Sequence, residues 1–173
     1  YETNENITKQ TIGTQIKIPR QYRWYEDFKR RFISHEIYTN NKLKNLMMKL
    51  VNKNVIDTGA HVGDTGLFLA KYLKDHNKVD CKVIMIEPDK TKVEFIKQVA
   101  KLNKLNDFVE IYNYAVGDVY GKGKIVKNLT KNSGAWTISD CNGTDCDIEI
   151  ISLESKFKNR NIGLMHLAVE GFE

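Results

Sequence analysis

Between Asn54 and Tyr112 short apolar runs alternate with amphipathic stretches of helical period, and this alternation constrains the fold more than any other feature of the chain. Asn54-Val55-Ile56-Asp57 stops at a glycine-rich turn, Lys82-Val83-Ile84-Met85-Ile86 stops at Glu87-Pro88, and Phe108 to Tyr112 is a third such run. Asp64 to Leu73 and a stretch from Asp89 to about Leu102 lie between them, with Asp64 and Asp89 placed to cap two helices. Runs that are apolar at successive positions belong to strands buried on both faces. Strand, helix, strand, helix, strand therefore predicts a parallel sheet in an α/β fold.

The flanks read differently. Residues 1–20 read as a loose N-terminal arm, so the folded domain is expected over 21–173. The aromatic cluster Tyr22-Arg23-Trp24-Tyr25 leads into a helix ending near Phe32. A second helix, from about Asn40 to Asn52, carries Leu43, Leu46, Met47, Leu50 and Val51 on one face. Downstream, Lys124-Ile125-Val126, Ala135-Trp136-Thr137-Ile138 and Ile148-Glu149-Ile150-Ile151 are short β-type pieces separated by turns. They predict an antiparallel β excursion, followed by a short helix over Leu153 to Lys158 and a fourth core strand over Gly163 to Glu170.

The net charge of +5 permits an anionic partner, but no dense basic run appears, so nucleic acid is not favoured. No apolar stretch approaches the roughly 20 residues of a membrane helix. The polar start is no signal peptide, and a cytoplasmic protein is expected. Of the three cysteines, Cys81 precedes an apolar run and should be buried, while Cys141 and Cys146 lie five apart in a polar loop. That spacing is no zinc pair, so no metal is expected, and reduced thiols are favoured over a short loop disulfide.

The chemistry concentrates in Asp57-Thr58-Gly59-Ala60-His61-Val62-Gly63-Asp64. Glycines at a strand-to-helix turn let backbone pass close to a ligand, and ligands of open parallel sheets bind at such carboxyl ends. The acid before the first glycine would repel a pyrophosphate. It suits a ligand that carries an amino acid and a sulfonium. Gly59 and Gly63 are four apart, which is not the GxGxxG spacing of dinucleotide folds. Glu87 closes the second strand, where an acid can accept both ribose hydroxyls of an adenosine.

These stretches, with Val169-Glu170-Gly171-Phe172-Glu173 at the end, resemble the FkbM-like family of S-adenosylmethionine-dependent methyltransferases. Tyr114-Ala115-Val116-Gly117-Asp118 is similar to a weaker block between them. The resemblance implies a Rossmann-like class I methyltransferase sheet in a three-layer αβα arrangement. It implies S-adenosylmethionine as cofactor and methylation of a hydroxyl on a sugar, glycan or small natural product. On it, Asp57, Gly59 and Gly63 would line the methionine and sulfonium end, with Ala60 and His61 completing the loop. Glu87 and Pro88 would hold the ribose, Asn113 and Ala115 would lie near the adenine, and Glu36 would stand at the cofactor mouth. His61 replaces the family's usual Asn, and Ala168 replaces its usual Asp.

Glu170 and His166 then remain as candidate bases on the fourth strand, on the same face as Ala168. Two other readings stay open: a binding module that keeps the cofactor site without chemistry, and an RNA ribose methyltransferase. The resemblance further implies seven sheet strands, of which at most four are legible. The fourth is therefore expected to present an edge, to be covered by further chain or by a second subunit, or else to leave a marginally stable fragment.

Overall fold

A computed structural model describes residues 4–9, 14–34, 41–126, 137–141 and 143–169. Its centre is a four-stranded parallel sheet of β3 (Asn54–Thr58), β4 (Val83–Ile86), β5 (Val109–Tyr112) and β10 (Ile162–Leu167), in the order β10-β3-β4-β5. Numbered by core strand, this is the 3-2-1-4 order of a doubly wound Rossmann-like sheet. Helix α3 (Asp64–Asp75) connects β3 to β4, and α4 (Lys90–Leu102) connects β4 to β5.

Alternation along the strands divides the apolar residues between two faces. Val55, Val83 and Met85 join a large cluster with Leu67, Leu69, Leu73, Phe95, Ile96 and Val99 of α3 and α4. Ile56, Ile84 and Ile86 point the other way and pack with Ile151 and Phe157. The second face is covered by α5 (Leu153–Phe157) and by the chain on either side of it.

The stretch read as a loose arm is instead a hairpin: β1 (Asn4–Lys9) pairs antiparallel with β2 (Thr14–Pro19). Ile16 and Ile18 are buried in the large cluster. The Asn103 side chain, just past α4, accepts from the Lys17 amide at 2.7 Å and donates to the Lys17 carbonyl at 2.7 Å, acting as a strand partner. A long-range anchor of this kind has no local sequence signal. From the hairpin the chain enters α1 (Tyr25–Ser34), whose Phe28 and Phe32 are fully buried. Helix α2 (Asn41–Leu50) follows; Met47 is buried, but Leu46 and Leu50, expected on its inner face, are exposed.

The excursion after β5 forms a second sheet of β6 (Ala115–Val116), β7 (Gly121–Val126), β8 (Thr137–Asp140) and β9 (Ile148–Ile151), in the order β6-β9-β7-β8. Three of its strands are antiparallel as expected, whereas β6 and β9 pair in parallel. Cys141 and Cys146 are disulfide-bonded, where reduced thiols were expected. The reason is tertiary: β7 runs between β8 and β9, and Gly123 pairs with both Asp140 and Ile148. The chain leaving β8 and the chain entering β9 therefore meet across β7, with Cα atoms 5.6 Å apart. Cys81 is buried, as expected.

Strand β10 has β3 on one side and no neighbour on the other among the described residues. Met165 and Leu167 on it are 48% and 43% exposed, the apolar edge anticipated for the fourth strand. No helix among the described residues is long and apolar enough to cross a membrane.

Candidate functional site

The site lies where β3 and β4 end. Past Thr58 the backbone turns through three left-handed residues, Gly59 (φ 62°), His61 (φ 54°) and Gly63 (φ 79°). The turn is bound to the next strand: the Ala60 amide donates to the Ile86 carbonyl at 3.1 Å. A Cβ on Gly59 would lie 1.8 Å from the Ala168 carbonyl oxygen, so the glycine is required by the chain that leaves β10. A Cβ on Gly63 would lie 2.8 Å from Ile96 Cγ1. Both glycines thus answer to protein neighbours, not only to a ligand. Gly63 is also the residue that precedes helix α3, so Asp64, expected as the cap, is its first helical residue.

Glu87 is pinned at the end of β4. Its Oε2 accepts from the His61 amide at 2.8 Å and its Oε1 from the Asp89 amide at 2.9 Å. Lys92 Nζ approaches to 3.9 Å. Each carboxylate oxygen keeps a further lone pair for a ligand donor. Burial pushes the Glu87 carboxyl up to about 7, against the opposing charge of Lys92. Asp89 caps α4 as expected, accepting from the Thr91 amide at 2.8 Å. Asn113 Nδ2 donates to the carbonyls of Glu87 and Pro88 at 3.0 and 2.7 Å, fixing the turn that carries the acid.

Asp57 is 1% exposed. Its Oδ1 meets His166 Nδ1 at 2.7 Å, while its Oδ2 has no hydrogen-bond partner. Asp64, in the first turn of α3, also keeps a buried Oδ2 without a hydrogen-bond partner. Burial pushes the Asp64 carboxyl up to about 7, and the nearby Asp57 adds to the shift while Arg31 opposes it. Two under-satisfied acids, one near the end of β3 and one in the first turn of α3, make a place that favours a cation. His166 is raised above its ordinary value by its hydrogen bond to Asp57, against the effect of burial.

A second layer closes over the loop from α1 and the turn before it. Asp27 Oδ2 lies 3.6 Å from His61 Nε2, and the same carboxylate binds Arg30 and Arg31. The Trp24 ring stands edge-on to His61, and its Nε1 donates to Thr91 Oγ1 at 3.1 Å. Lys92 Nζ sits 5.3 Å from the centre of the same ring. In the sequence the aromatic cluster reads as a helix entry, and its place at the site goes unseen. Its only signal was the density of aromatic residues before a helix.

Of the residues singled out in the sequence, Asp57, Gly59, Ala60, His61, Gly63, Glu87, Pro88, Asn113 and His166 are brought together. Ala115 faces the core of the second sheet, beside Ile148 and Ile150. Glu36 and Glu170 lie outside the described residues. Among the described residues, no group of three or more His, Cys, Asp or Glu side chains could hold a metal ion.

No protein-family model matches the chain. No curated protein matches it either. Among solved structures it is similar to coclaurine N-methyltransferase bound to N-methylheliamine and SAH, at 20% identity over 42% of this chain and 22% of that one, with a TM-score of 0.32. A protein from Pyrococcus horikoshii described as a transferase, PH0793, is 19% identical over 65% of this chain and 37% of that one, with a TM-score of 0.36. Trm5b from Pyrococcus abyssi is 18% identical over 67% and 31%, with a TM-score of 0.38. The matched part spans 22% to 37% of the length of those chains.

Proposed function

We propose that this chain is the cofactor-binding part of an S-adenosylmethionine-dependent methyltransferase of the FkbM-like kind, acting on a hydroxyl of a sugar, glycan or small natural product. The observation that carries the reading is the set of acids at the carboxyl ends of β3 and β4. Glu87 is pinned with a lone pair free on each oxygen, and the Asp57 and Asp64 oxygens are buried without hydrogen-bond partners. The cofactor fits that set. Its ribose diol would meet Glu87, and its ammonium and sulfonium would offset Asp57 and Asp64. Gly59, Ala60, His61 and Gly63 would carry the backbone past it, with Asn113 holding the adenine side. When bound, S-adenosylmethionine supplies an electrophilic methyl group. The protein's own contribution is to align the acceptor oxygen and to remove its proton. The Cys141–Cys146 bond speaks for a setting that is not strongly reducing, against the cytoplasmic one expected from the sequence.

Glu87→Ala should weaken S-adenosylmethionine binding by about 1–3 kcal/mol, because two ribose hydroxyls lose a charged acceptor. Titration calorimetry of the wild-type chain with S-adenosylmethionine, its demethylated product and NAD checks the reading. Binding of NAD alone, or of none, sinks it. One observation favours a second reading, a binding module without chemistry: Ala168 stands where the resemblance calls for Asp, and its backbone amide donates to the Thr58 carbonyl at 3.2 Å. Tight cofactor binding with no turnover on any hydroxyl acceptor would select it.

A further inference from the structure

We infer that Asp57 is a positioning residue that fixes His166 as a proton acceptor with its Nε2 presented to the site. The inference rests on the methyl-transfer reading and deepens it, since it moves Asp57 from the ligand's surroundings to the support of a base. Asp57 and His166 are direct register partners on the adjacent parallel strands β3 and β10, so their side chains stand on the same face of the sheet. The contact between Oδ1 and Nδ1 is 2.7 Å. Asp57 is 1% exposed, and the absence of a side chain on Gly66 leaves room for its Oδ2, since an added Cβ there would come within 2.8 Å of that oxygen. The hydrogen bond of this buried carboxylate goes to the imidazole, and its other oxygen has no hydrogen-bond partner.

An ionised carboxylate accepts only, so Nδ1 carries the proton in this pair and the neutral ring has its lone pair on Nε2. The His166 side chain is 27% exposed, so the ring is not sealed in the core. A histidine kept for packing alone would not need a buried anion behind it. The charged groups acting on the ring are Asp57 from β3 and Asp64 from α3, both of which favour its protonated form. Bound S-adenosylmethionine would supply the methyl carbon to the acceptor oxygen and keep the carbon–sulfur electron pair on sulfur, while the acceptor's proton would pass to Nε2. The resulting imidazolium is held by the Asp57 carboxylate until it loses the proton to solvent.

The test is a nitrogen NMR titration of the full chain, with the His166 signal identified by its loss in His166→Gln. The wild-type protein without cofactor should titrate above 6.5 and, at high pH, should show the tautomer protonated on Nδ1. Asp57→Asn should lower that midpoint by about one pH unit or more. The tautomer protonated on Nε2 in the wild type overturns the inference, whether or not Asp57→Asn folds. So does an unchanged midpoint in a folded Asp57→Asn. A second arm compares saturation with S-adenosylmethionine and with its neutral demethylated product. The sulfonium cation should depress the His166 midpoint relative to the thioether, because like charges oppose protonation. Equal midpoints with both ligands bound place His166 away from the methyl group and overturn the inference. Absence of binding by either ligand removes the methyltransferase reading, and with it the role of His166 as the acceptor's base.

Discussion

The two faces of the parallel sheet are built to different standards. On one, α1, α3, α4 and the N-terminal hairpin bury Phe28, Phe32 and Phe95 completely, and Phe95 meets Tyr22 and Phe28 edge to face. On the other, three strand isoleucines are covered by Ile151, Phe157 and a few half-buried neighbours. The candidate site sits at the rim of the crowded face, where Asp57, Asp64 and Glu87 are buried at 1%, 4% and 4% exposure. The comparison explains how such acids persist. A rigid, closely packed surround holds them in a conformation that solvation alone would not choose. The thinner face instead leads into the second sheet and its disulfide.

The comparison can be broken first in the crowded core, where the expected effect is greatest. Phe95→Ala should cost about 3–5 kcal/mol in urea unfolding, whereas Phe157→Ala, which is 6% exposed on a five-residue helix, should fall at the low end of that range or below. Equal losses would mean that the faces contribute alike.

The buried acids sharpen it. Asp64 and Glu87 are held up at about 7 in the folded protein, against ordinary values of 3.8 and 4.5. A raised folded value stabilises the protein fully below the ordinary value, and that contribution is lost as pH rises through the folded one. His166, also raised, acts in the same direction from 6.5 upward. The melting temperature of the cofactor-free protein should therefore fall between about pH 5 and 7.5, by several degrees at the order of 2–4 °C per kcal/mol. Asp64→Asn should flatten the fall. A melting temperature that holds level or rises over this window would show the acids to be better compensated than their burial implies.

The smallest effect belongs to the far sheet. Reducing Cys141–Cys146 opens a loop of only five residues' separation, which is worth about 2 kcal/mol or less. Amide exchange should quicken in β7, β8 and β9 and stay unchanged in β3 and β4. Faster exchange in the core strands on reduction would tie the second sheet to the site more closely than the packing suggests.

The order from β3 to β5 was readable because each of its strands is buried on both faces, so apolar residues run consecutively and the helices between them keep a plain period. The fourth core strand was readable from its apolar run although Met165 and Leu167 on it are exposed, and the excursion from short β-type pieces separated by turns. Asp89 was legible as a cap because its side chain bonds two residues away. Asp64 was misread because Gly63, in a left-handed turn, occupies the position before the helix. The hairpin went unseen because its stability comes from Asn103 and the large cluster, 86 residues distant from Lys17.

The sequence by itself determined the sheet, its crossover helices, the glycine turn and the acids that end β3 and β4, since local period and residue type carry those. Only the tertiary structure decided what each acid touches. Asp57 faces His166 across a separation of 109 residues, Glu87 holds the His61 amide, Asp27 reaches His61 from α1, and Cys141 meets Cys146 across β7. Such pairings depend on strand register and helix placement. Those are set by the packing of the whole core, so no local pattern records them.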